Sequence, residues 1–418
     1  MKFIFHGGAG EVGKSCIEVD GRFLLDCGLK ITEDGTVYPK ESDNEHIKAV
    51  FLSHAHLDHC GALPLFNKNG LNCSIFCNSM TQHTAKILMK DSYHIELINK
   101  QHPIYHRENL MSVIGLMEKV KYNKKYKIDG ATFSFHYAGH IPGASSILLE
   151  IDGRKILYTG DFNTQDTHLM KGASYDNFDD IDILITEATY GDRPHPRREE
   201  EEEKFLGKVG DVLQRGGNVL IPAFAVGRAQ EVIEILSRRN FDVPIYLDGM
   251  AKKVSNLYKN KPEFISNHQK YSQALSKVKY IKKARERKEI VKEQSIIITT
   301  SGMLDGGPVI DYLGYFYHNP KNGVFLTGYQ GEGSNGRLLM DEGRVFIDGT
   351  RVKMKAEVEK FDFSAHAGRE EIVEMINTIS PKNLVLQHGD TEPLNSLYEE
   401  FKDKYNVVVP GVEETIDL

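Results

Sequence analysis

The chain has 418 residues, enough at roughly 150 per domain for two or three domains with sizeable cores. With 40% apolar and 27% charged residues it is ordinary for a folded globular chain, and an extended disordered one is excluded. Lys and Arg total 52 against 59 Asp and Glu, a net charge of −7, so nucleic acid cannot be coated through global charge and has to be held by a local site.

No apolar run reaches the ~18 residues of a membrane helix. The opening residues, Met1 to Gly8, lack the apolar core and cleavage site of a secretory signal and read as the first strand of the fold. Five cysteines, an odd and small number, argue against a disulfide framework and for a reducing, cytoplasmic setting.

In chain order, Phe23 to Gly28 follows the turn Asp20-Gly21 as a strand, and Ala49 to Ser53 is a buried-strand run. A helix is predicted from Thr81 to Ile98, and a strand from Thr132 to Tyr137. Ser146 to Ile151 and Lys155 to Thr159 flank Asp152-Gly153 as a hairpin, and Asp182 to Thr186 is another strand. After Tyr190-Gly191 the composition shifts. Pro194 and Pro196 are followed by the acidic run Glu199 to Glu203, read as the solvated N-terminus of a helix. A βα pattern then repeats: strand Asn218 to Pro222, helix Gln230 to Arg238, strand Pro244 to Asp248, and later strands Ser295 to Thr299 and Gly323 to Thr327. The mixture predicts α/β layers with a second α/β block in the middle of the chain.

Gly8 to Gly13 and Gly331 to Gly336 both fit a GxGxxG dinucleotide pattern. The first needs a helix after it, whereas Cys16 to Gly21 reads as a strand, and the second lacks a βαβ setting. Both are read as glycine turns. The cluster Lys282 to Lys288 is read as a solvated helix face, with an RNA-tracking patch as the alternative.

His54-Ala55-His56-Leu57-Asp58-His59 carries the chemistry. Four potential ligands in six residues cannot share one face of a strand and suit a loop at a strand's C-terminal end. Histidine and carboxylate ligands favour zinc-type metals, and the pairs His54/His56 and Asp58/His59 suggest two adjacent ions. Each ion needs further ligands. His140, Asp161 and His388 each stand after an apolar strand, and a carboxylate such as Asp161 is able to bridge two cations.

This run, preceded by Asp26 in Leu25-Asp26-Cys27-Gly28 and followed by Gly139-His140 and Thr159-Gly160-Asp161, resembles the metallo-β-lactamase superfamily. Glu187 in Thr186-Glu187-Ala188-Thr189-Tyr190-Gly191, His366 in Phe363-Ser364-Ala365-His366, and His388 resemble motifs A, B and C of its β-CASP branch of nucleases. Pro222 to Glu231 and Ser301-Gly302-Met303 are similar to further signatures of that branch. The closest likeness is to the nuclease subunit of the cleavage and polyadenylation specificity factor and its short archaeal and bacterial relatives. A KH-type RNA-binding extension ahead of Met1, as in longer archaeal homologues, is not expected.

The resemblance implies a four-layer αββα sandwich with an inserted α/β β-CASP domain, divided as 1–193, 194–358 and 359–418. It implies two zinc ions per chain, one on His54, His56 and His140, the other on Asp58, His59 and His388, with Asp161 between them. Asp26 is expected to orient a ligand histidine, His366 to act as general acid, and Glu187 to hold it. Ser364, Arg228, Ser301, Tyr329 and Arg337 are expected to contact substrate. The implied activity is hydrolysis of single-stranded RNA, endonucleolytic with 5′→3′ exonucleolytic capacity, leaving 3′-hydroxyl and 5′-phosphate ends. A DNA-directed nuclease is the alternative, disfavoured by His388. A homo-oligomer or RNA-processing partner proteins are further expectations.

Overall fold

The computed structural model describes residues 1–32, 35–40, 44–98 and 103–418. Two seven-stranded sheets face each other. The first runs, edge to edge, Thr415–Asp417, Lys2–Gly7, Cys16–Val19, Phe23–Leu25, Ala49–Phe51, Ser74–Asn78 and Met117–Val120. The second runs Asn406–Val408, Asn383–Gln387, Ile183–Glu187, Arg154–Tyr158, Ser145–Ile151, Ala131–Tyr137 and Lys125–Ile128. In each, one half is antiparallel and the other parallel.

The pleat explains the apolar strand runs. Phe23 and Leu25 point into the core between the sheets, where they join Phe51, Phe133 and Ile185. Leu24 and Val50 point the other way, into a second core with Leu63, Phe66 and Met89 of the covering helices. Both faces are buried, so both must be apolar, and simple alternation is lost. Leu184 and Leu386 on the outer face of the second sheet pack against Ile376 and Leu397 from the helices Arg369–Ile379 and Thr391–Phe401. These are the four αββα layers.

The middle of the chain forms a six-stranded sheet, ordered Val278–Tyr280, Ile245–Leu247, Ile296–Thr299, Val219–Pro222, Gly323–Leu326 and Glu357–Lys360, with every pair parallel. Its core is continuous with that outside the second sheet. An ion network ties the blocks together. Glu231, on the helix Arg228–Leu236, accepts the backbone N–H groups of His168 and Leu169 at 2.9 and 3.1 Å and pairs with Arg198 at 2.5 Å. Glu202 binds Arg198 at 2.8 Å and His168 at 2.9 Å. The acidic run is therefore not uniformly solvated, because Glu202 is buried in this network. Among the described residues no helix is long and apolar enough to cross a membrane.

Candidate metal centre

The candidate ligands collect because strands of like direction end together. His54 to His59 follow Ala49–Phe51, His140 follows Ala131–Tyr137, Asp161 follows Arg154–Tyr158, and His388 follows Asn383–Gln387. His54, His59, His140, Asp161 and His388 are buried.

They form two groups, each with its ligand atoms within 4.8 Å of one another: His54, His56, His140 and Asp161, and Asp58, His59 and His388. In the first, His56 Nδ1 is 3.1 Å from His54 Nε2 and 3.2 Å from His140 Nε2. Asp161 joins the groups. Its Oδ2 is 3.4 Å from His54 Nε2 and 3.7 Å from His140 Nε2, while its Oδ1 is 3.3 Å from His59 Nε2 and 3.4 Å from His388 Nδ1.

The outer nitrogens of three rings are engaged elsewhere, which turns the inner ones toward the groups. His59 donates its Nδ1–H to Asp26 Oδ2 at 2.7 Å, and His140 donates its Nδ1–H to the Ala365 carbonyl at 2.9 Å. Ser53 Oγ donates to Asp26 Oδ2 at 2.6 Å, so it accepts from His54 Nδ1–H at 3.0 Å. Tyr158 OH adds a further bond to Asp26 Oδ2 at 2.7 Å.

The buried His59 Nε2 and Asp161 Oδ1 have no hydrogen-bond partner. An orphaned buried lone pair is costly unless a cation takes it. The donor set, neutral imidazoles and carboxylates, suits zinc. Burial first, and then the neighbouring rings, holds the His54 and His140 imidazoles well below their usual pKa, in the neutral form that binds metal. Burial opposes ionisation of Asp161, but the surrounding imidazoles hold its carboxyl well below the usual carboxylate range. The residues fit the ion.

The glycine loop at residues 8–13 reaches this centre, and Gly13 donates its N–H to His388 Nε2 at 3.1 Å. Close packing supports the ligand loop as well. A Cβ on Gly28 would lie 1.6 Å from the Asp58 carbonyl oxygen, so only glycine fits there.

His366 stands beside the groups. Its Nδ1–H donates to Glu187 Oε2 at 2.8 Å, and the same nitrogen is 4.0 Å from Asp161 Oδ2. Glu187 is fixed by the Phe162 N–H at 2.8 Å and the Thr189 hydroxyl at 2.5 Å. Burial opposes charge on His366, but Glu187 and Asp161 outweigh it and raise its pKa to about 9.

A cavity of about 480 Å³ between the two blocks opens onto the centre, lined by His56, Asp58, His140, Asp161, His366 and His388 and by Ser364, Arg228 and Tyr329. The buried Nε of Arg228 has no hydrogen-bond partner, and burial pushes its pKa down to about 10. Tyr329 donates its hydroxyl to Asp390 at 3.2 Å across the cavity mouth.

Ser301 and Arg337 are not brought to this lining. Ser301 Oγ accepts the Asp305 N–H at 3.2 Å in a local turn, and Arg337 pairs with Asp341 at 2.7 Å on an exposed helix face. Another acidic and histidine group, His168, Glu202 and Glu231, is already occupied by Arg198 and Arg238 and holds the blocks together. Sequence reasoning missed Ser53, Tyr158, Gly13 and the Ala365 carbonyl. Ser53 and Tyr158 do lie within three residues of ligands, which is the only local signal they give.

Family models match three consecutive segments: a metallo-β-lactamase superfamily domain over residues 16–188, a β-CASP domain over 229–339, and a Zn-dependent metallo-hydrolase RNA specificity domain over 351–410. The chain is also 43% identical over 93% of its length to a probable RNase of Methanocaldococcus jannaschii, 93% of which is covered.

This chain belongs to the β-CASP branch of the metallo-β-lactamase superfamily.

Other relatives of the chain include an RNase of Saccharolobus solfataricus, 35% identical over 96% of this chain and 82% of that one. The cleavage and polyadenylation specificity factor 73 of Drosophila melanogaster is 31% identical over 93% of this chain and 60% of its own length. A crystal structure of an Enterococcus faecalis protein of unknown function superposes with a TM-score of 0.61 at 15% identity, covering 100% of this chain and 99% of that one, and shares the fold. The segment matched by the β-CASP model supplies Tyr329 to the cavity, with Arg228 immediately before its first residue, and the metallo-β-lactamase segment holds His54, His56, Asp58, His59, His140 and Asp161.

Proposed function

We propose that this β-CASP protein is a zinc-dependent ribonuclease that hydrolyses phosphodiester bonds of single-stranded RNA in the cytoplasm, leaving 3′-hydroxyl and 5′-phosphate ends. The observation that carries the reading is Asp161. Its two carboxylate oxygens face two separate ligand groups, and the paired His366 and Glu187 stand beside it. This supports one zinc on His54, His56 and His140 and a second on Asp58, His59 and His388, shared through Asp161. These residues would hold zinc where it would lower the pKa of coordinated water toward ~7 and neutralise charge on phosphate oxygens.

The chain's own residues do the rest. The hydroxyl of Ser364 and the guanidinium of Arg228 line the cavity as donors for phosphate oxygens. As water adds to phosphorus, losing a proton to solvent, and the bond to the 3′ oxygen breaks, that oxygen needs a proton. His366 gives it, and Glu187 steadies the imidazole through Nδ1. Because the nucleophile is water, no 2′-hydroxyl is consumed. Segments 1–193 and 359–418 carry the ligands, and 194–358 roofs the cavity. That two similar proteins are named as RNases supports RNA rather than DNA as the substrate of this chain.

The test is 5′-end-labelled single-stranded RNA, as 5′-triphosphate and 5′-monophosphate, beside DNA of the same sequence. Zinc-loaded protein is expected to cut internally in both RNAs, giving 3′-hydroxyl ends. A 5′-monophosphate requirement reports the exonucleolytic mode. Cleavage of the DNA alone overturns the assignment.

A further inference from the structure

His366 lies on the loop between the strand Glu357–Lys360 and the helix Arg369–Ile379, where no sheet or helix ladder fixes the backbone. A proton donor is useful only when held in place, because about 1 Å of misplacement costs ~100-fold in rate. Two contacts from the ligand side pin the loop: the His140 Nδ1–H on the Ala365 carbonyl at 2.9 Å, and the Ala367 N–H on the Phe162 carbonyl at 2.7 Å. Neither holds the His366 peptide from behind.

We propose that His195 is the positioning residue for His366. Its Nε2 lies 3.1 Å from the His366 carbonyl and its Nδ1 3.0 Å from Asp362 Oδ2, and because both partners only accept, both bonds are made by the ring carrying a proton on each nitrogen. Asp362 Oδ1 accepts the Ser364 N–H at 3.0 Å, and Ser364 Oγ accepts the His366 N–H at 3.1 Å. One imidazole therefore grips the loop at both ends, and the bonds between close the circuit. The ring is itself fixed, edge-on to Tyr190 with centroids 4.6 Å apart. The fit is tight, since a Cβ on Gly368 would come within 3.0 Å of His195 Cδ2. His195 does not line the cavity and belongs to neither ligand group, so it acts only through the loop.

The inference rests on the reading of His366 as proton donor, and the experiment separates the two. Zinc-loaded full-length His195→Phe, His195→Gln and His366→Ala are compared with wild type on an RNA carrying either oxygen or sulfur at the 3′ bridging position of one cleavage site. A sulfur leaving group needs no proton. His195→Phe keeps a planar ring against Tyr190 but no donor. It is expected to lower kcat ~10- to 100-fold on the oxygen substrate, with KM within ~3-fold and zinc content unchanged. Its loss relative to wild type is expected to shrink to under ~3-fold on the sulfur substrate, as for His366→Ala. His195→Gln, which keeps one donor, falls between. If sulfur rescues His366→Ala but neither His195 variant, His195 does not act through the acid and the inference fails alone. Wild-type kcat in both His195 variants overturns it equally. If sulfur fails to rescue His366→Ala, the proton-donor reading falls and takes the inference with it.

Discussion

Asp26→Asn isolates the orientation of the ligands. Asp26 has φ 59, a region that asparagine tolerates and most residues avoid, so the backbone is undisturbed. The carboxylate accepts the Ser53 N–H on Oδ1 at 2.7 Å and three donors on Oδ2: Ser53 Oγ, His59 Nδ1 and Tyr158 OH. An amide offers one oxygen. With that oxygen toward His59, its NH₂ meets the Ser53 N–H, and flipped, it meets all three other donors. At least one charge-assisted bond is lost, worth ~1.5–3 kcal/mol, and the negative charge that enriches the His59 ring goes with it. Zinc affinity is expected to fall ~10- to 100-fold. Competition with a chromophoric chelator measures this, beside thermal unfolding of the zinc-free protein. Wild-type zinc affinity with lowered zinc-free stability would make Asp26 a residue of the fold alone and refute its orienting role.

Both oxygens of the buried Glu234 lack a hydrogen-bond partner, and burial, then Glu231, pushes its pKa up to about 7. The folded state therefore favours the acid form, and stability is lost as pH rises from the unfolded value of ~4.3 toward about 7. Glu234→Gln is expected to raise the melting temperature at pH 8, with the gain closing as pH falls toward ~4.5; a gain independent of pH contradicts this. Gly28→Ala drives a methyl into the Asp58 carbonyl and is expected to lose bound zinc and activity together, as elemental analysis and RNA cleavage read. Asp161→Ala is expected to abolish cleavage and reduce bound zinc while thermal unfolding stays cooperative; residual cleavage above a few per cent contradicts its place between the groups.

Much of this was legible in the residues. Four candidate ligands in six positions after an apolar strand pointed to the place where the structure gathers histidines and carboxylates, and the glycine loop at residues 8–13 was rightly read as turns, since Cys16–Val19 is a strand. The helix predicted from Gln230 starts instead at Arg228, because Gly227 at φ 78 ends the preceding turn. Contacts distant in sequence left no trace. The Gly13 bond to His388 spans 375 positions, and the hold of His195 on His366 spans 171. Nothing local shows that Glu202, inside an acidic run, turns inward to Arg198 and His168. The basic cluster is likewise not uniformly free, since Arg287 turns in to Asp248 at 2.8 Å and Asp311 at 2.6 Å. The cavity wall was the least legible part. Arg228 and the loop residue Tyr329 reach it, whereas Arg337 sits on a helix face where it pairs with Asp341.

The proposed pair of zinc ions around Asp161 is read from the metal content of active protein. The protein is purified without chelator, dialysed against metal-free buffer, shown to cut RNA, and subjected to elemental analysis on the same sample. About two zinc atoms per chain are expected. One zinc or none in fully active protein contradicts the pair.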